Sequence, residues 1–236
     1  MKGKIFAVGI GPGDPELITI KAINVIKNSH TIFVPKGREE GSSIALSIVK
    51  EVVDLKGKQI VEVFFPMVKT KYEEYKKEKA WNEIVESVYE RLNRGENVSF
   101  LTLGDPTLYS TFFYIHRKLI ERDKNIEIHL IPGVSSITAC AAVSQSFLAV
   151  GNEKIAILPA NYIDSYDEIF DQFETIVLMK VHVVFEKILE FLRRRNLIER
   201  SVYITRAGME GERVIRDIEN VTVDDKNYFS IIIVKK

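Results

Sequence analysis

The chain alternates short apolar runs with longer amphipathic ones, and that alternation leaves few folds open to it. Lys4–Gly9, Thr31–Pro35, Ile60–Phe65 and Val98–Leu103 are runs of this short kind. A strand covered on both faces reads as a continuous apolar run, so each is expected to lie in a buried parallel sheet. Helix-type segments separate them. Asp14-Pro15-Glu16 opens the first, with Asp at the cap, Pro at the first helical position, and Leu17, Ile20, Ile23 and Ile26 on one stripe. Ser42 or Ser43 can cap the next, which carries Ile44, Leu46, Ile48 and Val49. Tyr72–Asn93 is a long amphipathic helix with Trp81, Ile84, Val85, Val88 and Leu92 on its apolar side. A second series follows: a helix over Leu108–Glu121, a strand over Ile126–Ile131 and a small-residue helix over Ser135–Val143. Strands are then expected at Lys154–Leu158, Thr175–Met179, Val202–Thr205 and Phe229–Val234, with a short one inside Arg213–Ile218 and helices at Tyr166–Gln172 and Val183–Arg194. Such alternation predicts an α/β protein with mainly parallel or mixed sheets. The strands are too many for one sheet of usual width. Two α/β domains, 1–118 and 119–236, are therefore expected, packed closely with a cleft between them.

Composition narrows the function. The 33 basic and 33 acidic side chains cancel, and 46% of residues are hydrophobic. That balance excludes intrinsic disorder and argues against a nucleic-acid binder held by bulk charge. No apolar run approaches the roughly 18 residues of a membrane span, and the first apolar run is too short for a secretion signal. A single cysteine, Cys140, excludes a disulfide framework and a cysteine-rich zinc site. A cytoplasmic protein with no metal site and no membrane partner is expected.

Three turns can carry chemistry. Gly9-Ile10-Gly11-Pro12-Gly13-Asp14-Pro15 follows the first strand, and glycines there let a ligand approach the backbone. It is not a dinucleotide fingerprint. Asp14 stands where G-x-G-x-x-G needs its last glycine, and Pro35-Lys36 ends the second strand where a ribose-binding acid belongs. Leu103-Gly104-Asp105-Pro106-Thr107-Leu108 ends the fourth strand, at the carboxyl edge where open α/β sheets bind ligands. Asp105 could accept hydrogen bonds from a ligand there, or cap a helix. Ile131-Pro132-Gly133-Val134-Ser135-Ser136-Ile137 offers hydroxyls and amides, or a helix cap. The four histidines are scattered, and no H-E-x-x-H, G-x-S-x-G or phosphate-binding lysine loop is present. Cys140 reads as a small core residue, and Arg193-Arg194-Arg195 as a solvated helix end.

Taken in order, GIGPGDPELIT, LTLGDPTLYS, IPGVSS, Leu178–Lys180, TRAGMEGERVI from Thr205 and the final YFSIIIVKK resemble the tetrapyrrole (corrin/porphyrin) methylase family over nearly the whole chain. Val34-Pro35-Lys36-Gly37 followed by Glu40-Gly41-Ser42-Ser43 is similar to its precorrin-2 or cobalt-precorrin-2 C20-methyltransferase branch. One departure is Ala207-Gly208-Met209, where many members have Gly-Thr. The resemblance implies S-adenosylmethionine bound between two α/β domains, a reduced tetrapyrrole as substrate, and a homodimer. Carried over residue by residue, it assigns the cofactor to Pro12, Leu103, Gly104, Asp105, Leu108, Ser135, Ser136, Ile137, Met179, Ala207 and Ser230. It gives Asp105 a positioning role, with assistance to proton loss as the alternative. The substrate bears several carboxylates, so Lys36 and Arg38, with Ser43 beside them, are candidates for guiding it; Lys69 and Lys71 stand behind as surface charge. The same fold could serve a uroporphyrinogen III C2/C7 methylase or a catalytically silent S-adenosylmethionine-binding module.

Overall fold

The computed structural model describes residues 1–37, 43–65 and 71–236, the side chains of 71–76 excepted. The chain forms two compact units, Met1–Ser135 and Ser136–Lys236, each built on one five-stranded sheet. The division falls after Ser135 rather than after residue 118, because Ile128–Ile131 pairs with Ile5–Val8 and so belongs to the first sheet.

In the first unit, β1 (Ile5–Gly9), β2 (Thr31–Lys36), β3 (Gln59–Phe64), β4 (Val98–Thr102) and β5 (Ile128–Ile131) run parallel in the order β3-β2-β4-β1-β5. The chain steps outward through β1, β2 and β3, then returns to β4 and β5. Right-handed crossovers place the helices of the two directions on opposite faces. Thus α1 (Ile20–Asn28) and α2 (Ile44–Val52) bury Ala22, Ile26, Leu46 and Val49 against Val8, Ile32, Val34 and Leu101. On the other face α3 (Lys71–Asn93) and α4 (Phe112–Arg122) bury Trp81, Val88, Phe112 and Leu119 against Ala7, Phe33 and Phe100.

Two helix starts differ from the sequence reading. Asp14 caps only a 3-10 turn, Pro15–Leu17, accepting from the Glu16 amide at 2.8 Å. The helix proper begins after Thr19, whose hydroxyl oxygen accepts from the Ala22 amide at 3.1 Å. Ile20 therefore leaves the expected stripe and is 78% exposed. The next start shifts from Leu108 to Phe112 because Tyr109 takes a left-handed backbone, φ 52°, which interrupts the helical run.

The second unit has a mixed sheet of order β6-β7-β10-β8-β9. Its strands are β6 (Ile155–Pro159), β7 (Thr175–Met179), β8 (Ser201–Thr205), β9 (Arg213–Ile215) and β10 (Ser230–Lys235). β6 and β7 are parallel, and β10 runs antiparallel to both β7 and β8. The helices α5 (Ser136–Val143), α6 (Asp167–Gln172) and α7 (Phe185–Arg194) complete it. Phe170, Phe185, Ile188, Phe191 and Leu192 from α6 and α7 bury Ile176, Leu178, Tyr203 and Ile232 of the sheet. The arginines ending α7 are paired: Arg193 with Glu219 at 2.6 Å, Arg194 with Asp167 at 3.2 Å, and Arg195 with Asp167 and Asp171. Among the described residues no helix is long and apolar enough to cross a membrane.

Candidate functional site

The first sheet builds one edge where three turns converge. The connection after β1 leads toward β2, and that after β4 leads the other way, toward β5. Open α/β sheets carry their ligand crevice at the carboxyl edge, where neighbouring strands send their connections in opposite directions. Here the backbone itself fills the base of that crevice. The Gly104 amide donates to the Gly11 carbonyl at 2.7 Å, and the Ile10 amide donates to the Thr102 carbonyl at 3.0 Å. Gly104 turns with φ 71°, in the left-handed region that favours glycine. The turn after β5 is equally close: a Cβ on Gly133 would stand 2.4 Å from the Gly104 oxygen and 2.9 Å from the Gly9 Cα. The three turns therefore meet main chain to main chain.

Asp105 ties the second turn to the third. One carboxylate oxygen accepts from the Thr107 amide at 2.8 Å and from the Thr107 hydroxyl; the other accepts from the Gly133 amide at 3.0 Å. Burial works to raise its pKa, but the hydrogen bonds from the Thr107 hydroxyl and amide and from the Gly133 amide outweigh it and hold the carboxyl below its ordinary value. A carboxylate so occupied is a weak base and a firm anchor. Around it, Pro12 is buried, Leu103 and Leu108 are half-buried, and the Leu108 amide donates to the Asp105 carbonyl at 3.3 Å. Ser135 ends this unit, half-buried.

The residues expected to meet the substrate are more occupied than the sequence implied. The Lys36 ammonium pairs with Glu62 of β3 at 2.8 Å, and its side chain is only 15% exposed. Ser43 precedes α2 but makes no cap bond; its buried hydroxyl donates to the Pro35 carbonyl at 3.0 Å. Both fasten the end of β2 to its neighbours. Arg38 and Lys69 lie outside the described residues, as does the Lys71 side chain.

In the second unit Met179, Ala207 and Ser230 come to one sheet edge. Met179 ends β7 opposite Ile231, Thr205 ends β8 opposite Ser230, and Ala207 follows two residues later. Ala207 and Ser230 are buried and Met179 is half-buried. Small or apolar walls with few polar groups suit a flat neutral base. Ser136 opens α5 half-buried, and Ile137 is buried.

Sequence reasoning missed the polar residues that shape this edge. The Asn227 amide donates to the Thr205 hydroxyl at 2.6 Å, its carbonyl oxygen accepts from the Phe229 amide at 2.9 Å, and its main-chain oxygen accepts from the Ser230 hydroxyl at 2.6 Å. Buried Asp225 accepts from the Thr222 amide at 2.9 Å and pairs with Arg213 at 2.5 Å. Burial acts to raise the Asp225 pKa, but the Thr222 bonds and the Arg213 charge bring it below its ordinary value. The only local signal was an Asp-x-Asn pair ahead of the last strand, which reads equally well as a plain turn.

Comparison with known proteins gives consistent findings. The family described as Tetrapyrrole (Corrin/Porphyrin) Methylases matches residues 4–221. The chain is 38% identical to the "Probable cobalt-precorrin-2 C(20)-methyltransferase" of Methanocaldococcus jannaschii, over 99% of this chain and 96% of that one. It is 34% identical to the cobalt-precorrin-2 C(20)-methyltransferase of Salmonella typhimurium, over 100% of this chain and 98% of that one. Its fold is similar to the uroporphyrin-III C-methyl transferase of Thermus thermophilus, solved with S-adenosyl homocysteine. There the TM-score is 0.68 at 20% identity, covering 99% of this chain and 98% of that one.

Proposed function

The chain belongs to the tetrapyrrole (corrin/porphyrin) methylases, and on that premise we propose that it transfers a methyl group from S-adenosylmethionine to C20 of cobalt-precorrin-2 in cobalamin biosynthesis. The observation that carries this reading is the full-length identity of 34–38% to relatives bearing that name. The turn geometry supports it: three of the segments that resemble the family, the turns after β1, β4 and β5, meet at the carboxyl edge of the first sheet.

When bound, S-adenosylmethionine supplies a methyl group on a sulfonium that loses its charge in the reaction. The chain's residues position rather than activate. Asp105, holding Thr107 and the Gly133 amide, fixes the Leu103–Leu108 turn against the turn after β5. Leu103 and Leu108 present apolar surface that keeps water from the reacting centre. Met179, Ala207 and Ser230, with Ser135, Ser136 and Ile137, are the proposed contacts for the rest of the cofactor. A reduced pyrrole framework makes a meso carbon nucleophilic, so alignment is the main demand, and alignment can supply about 7–11 kcal/mol of a barrier. Lys36, Ser43 and Arg38 are proposed to face the substrate. The protein acts in this reading as a cytoplasmic homodimer.

The test is a product assay by mass spectrometry. Precorrin-2, metal-free and cobalt-loaded, is incubated anaerobically with S-adenosylmethionine and the protein. One added methyl, placed at C20 by NMR and faster on the cobalt form, is expected. Methylation of uroporphyrinogen III alone would move the chain to another branch of the family. No methylation of any of them would leave a silent binding module.

A further inference from the structure

We propose that Arg206 is a carboxylate receptor at the end of β8, taking an acidic side group of the macrocyclic substrate; this rests on the proposed function above. Arg206 holds a left-handed backbone, φ 55°, a conformation that glycine adopts freely and an arginine adopts only against steric cost. Strain of this kind persists where the surrounding structure enforces it, and here it is enforced from both sides. The Arg206 amide donates to the Phe229 carbonyl at 2.8 Å, and its carbonyl accepts from the Met209 amide at 2.8 Å. The side chain so displayed is exposed.

Its guanidinium has no ion pair among the described residues, whereas Arg193, Arg194, Arg195 and Arg213 are each paired. Glu212, six residues on, is otherwise engaged: it accepts from the Gly208 amide at 2.7 Å. The arm lies beside Gly211, where an added Cβ would stand 3.4 Å from the Arg206 Nη1. A second cation in the same strained conformation follows the strand on the other side of β10. Lys180 has φ 57° and its ammonium lies 5.9 Å from the centre of the Tyr162 ring. Met179 and Thr205 pair with adjacent residues of β10, so two strand spacings, about 10 Å, separate the two backbones. The edge thus presents a guanidinium fork and an ammonium. A guanidinium binds carboxylate bidentately, and a reduced tetrapyrrole carries several.

The methionine end of the cofactor also carries a carboxylate, and the test separates the two sources. Arg206→Gly removes the guanidinium while giving the backbone the residue its φ favours; Arg206→Lys keeps the charge. Uroporphyrin III, an octacarboxylate, is titrated by fluorescence anisotropy and S-adenosylhomocysteine by calorimetry. In Arg206→Gly the uroporphyrin Kd is expected to rise about tenfold, with part of that recovered in Arg206→Lys. The S-adenosylhomocysteine Kd should stay within about twofold and Tm should not fall. Weakened S-adenosylhomocysteine binding with unchanged uroporphyrin binding would overturn the proposal by assigning the guanidinium to the cofactor. Unchanged binding of both, with normal C20 methylation, would overturn it while leaving the functional reading intact. Arg206-dependent uroporphyrin binding in a protein that methylates no tetrapyrrole would do the reverse.

Discussion

The two sheets build the edges proposed to meet the ligands by opposite means. In the first, all strands are parallel, so every carboxyl end lies on one edge and the loops must crowd together. Glycine main chains resolve the crowding: Gly9, Gly104 and Gly133 approach so closely that no side chain fits between them. In the second, antiparallel β10 separates β7 from β8, so the ends of those two strands are spread apart. There the edge carries full side chains even at left-handed positions, Lys180 and Arg206, and hydrogen bonds donated by Asn227 and accepted by Asp225 hold its shape. The first edge is fixed by exclusion of volume and the second by polar bonds. Substitutions should therefore act very differently on the two.

The largest effect is expected from one methyl group added to the first edge. Gly133→Ala places a Cβ 2.4 Å from a carbonyl oxygen of another turn, and no rotamer change can relieve a clash between main chains. A loss of about 3 kcal/mol is expected, read as a lower urea midpoint, together with loss of cofactor binding. An unperturbed midpoint would mean that the turns are not rigidly packed.

Asp105→Ala should follow, at about 2 kcal/mol, because it strands the Gly133 and Thr107 amides. Affinity for S-adenosylmethionine should weaken about tenfold. Unchanged affinity with lost turnover would assign Asp105 a catalytic role instead. The effect has a pH signature. Its folded pKa is depressed, so the stabilisation is complete above the ordinary carboxylate value and fades as pH falls through the folded one. The stability difference between wild type and Asp105→Ala should accordingly hold at neutral pH and shrink as pH falls below the ordinary carboxylate value.

The contrast also explains what the sequence discloses. Strands and the Gly-Asp-Pro turns are legible because apolar runs and Gly/Pro punctuation are local signals. The first edge's key bond is not, since Asp105 reaches a backbone amide 28 positions away and any strand-end Asp reads equally well as a cap. Ser43 illustrates the same limit: its position before a helix implies a cap, but its hydroxyl finds Pro35 across the sheet edge. Tyr109 adopts a left-handed backbone without being glycine, so nothing local marks the delayed start of α4. On the second edge, the antiparallel insertion of β10 is a matter of sheet order, and strand periodicity is blind to order. Cys140 is the converse case. An Ala-rich helix implied a core thiol, and burial, with Glu212 adding to it, pushes its pKa up to about 12. Maleimide labelling of the native protein should therefore be slow at neutral pH and fast in urea.

Substitutions on the second edge should have smaller effects. Asp225→Asn keeps the shape but removes the charge that faces Arg213. Because Arg213 is half in solvent, the cost should be about 1 kcal/mol, and it should disappear toward acid pH, where the depressed Asp225 carboxyl protonates in the wild type. Lys180→Gly should change stability least, by no more than about 0.5 kcal/mol. Relief of a left-handed backbone favours the variant, whereas a more flexible unfolded chain and the lost contact with Tyr162 oppose it. This is the informative asymmetry. Gaining a methyl at Gly133 should cripple one edge, whereas removing an entire side chain at Lys180 should leave the other standing. A large loss from Lys180→Gly would show that the second edge is also held by packing, and the distinction between the two sheets would fall.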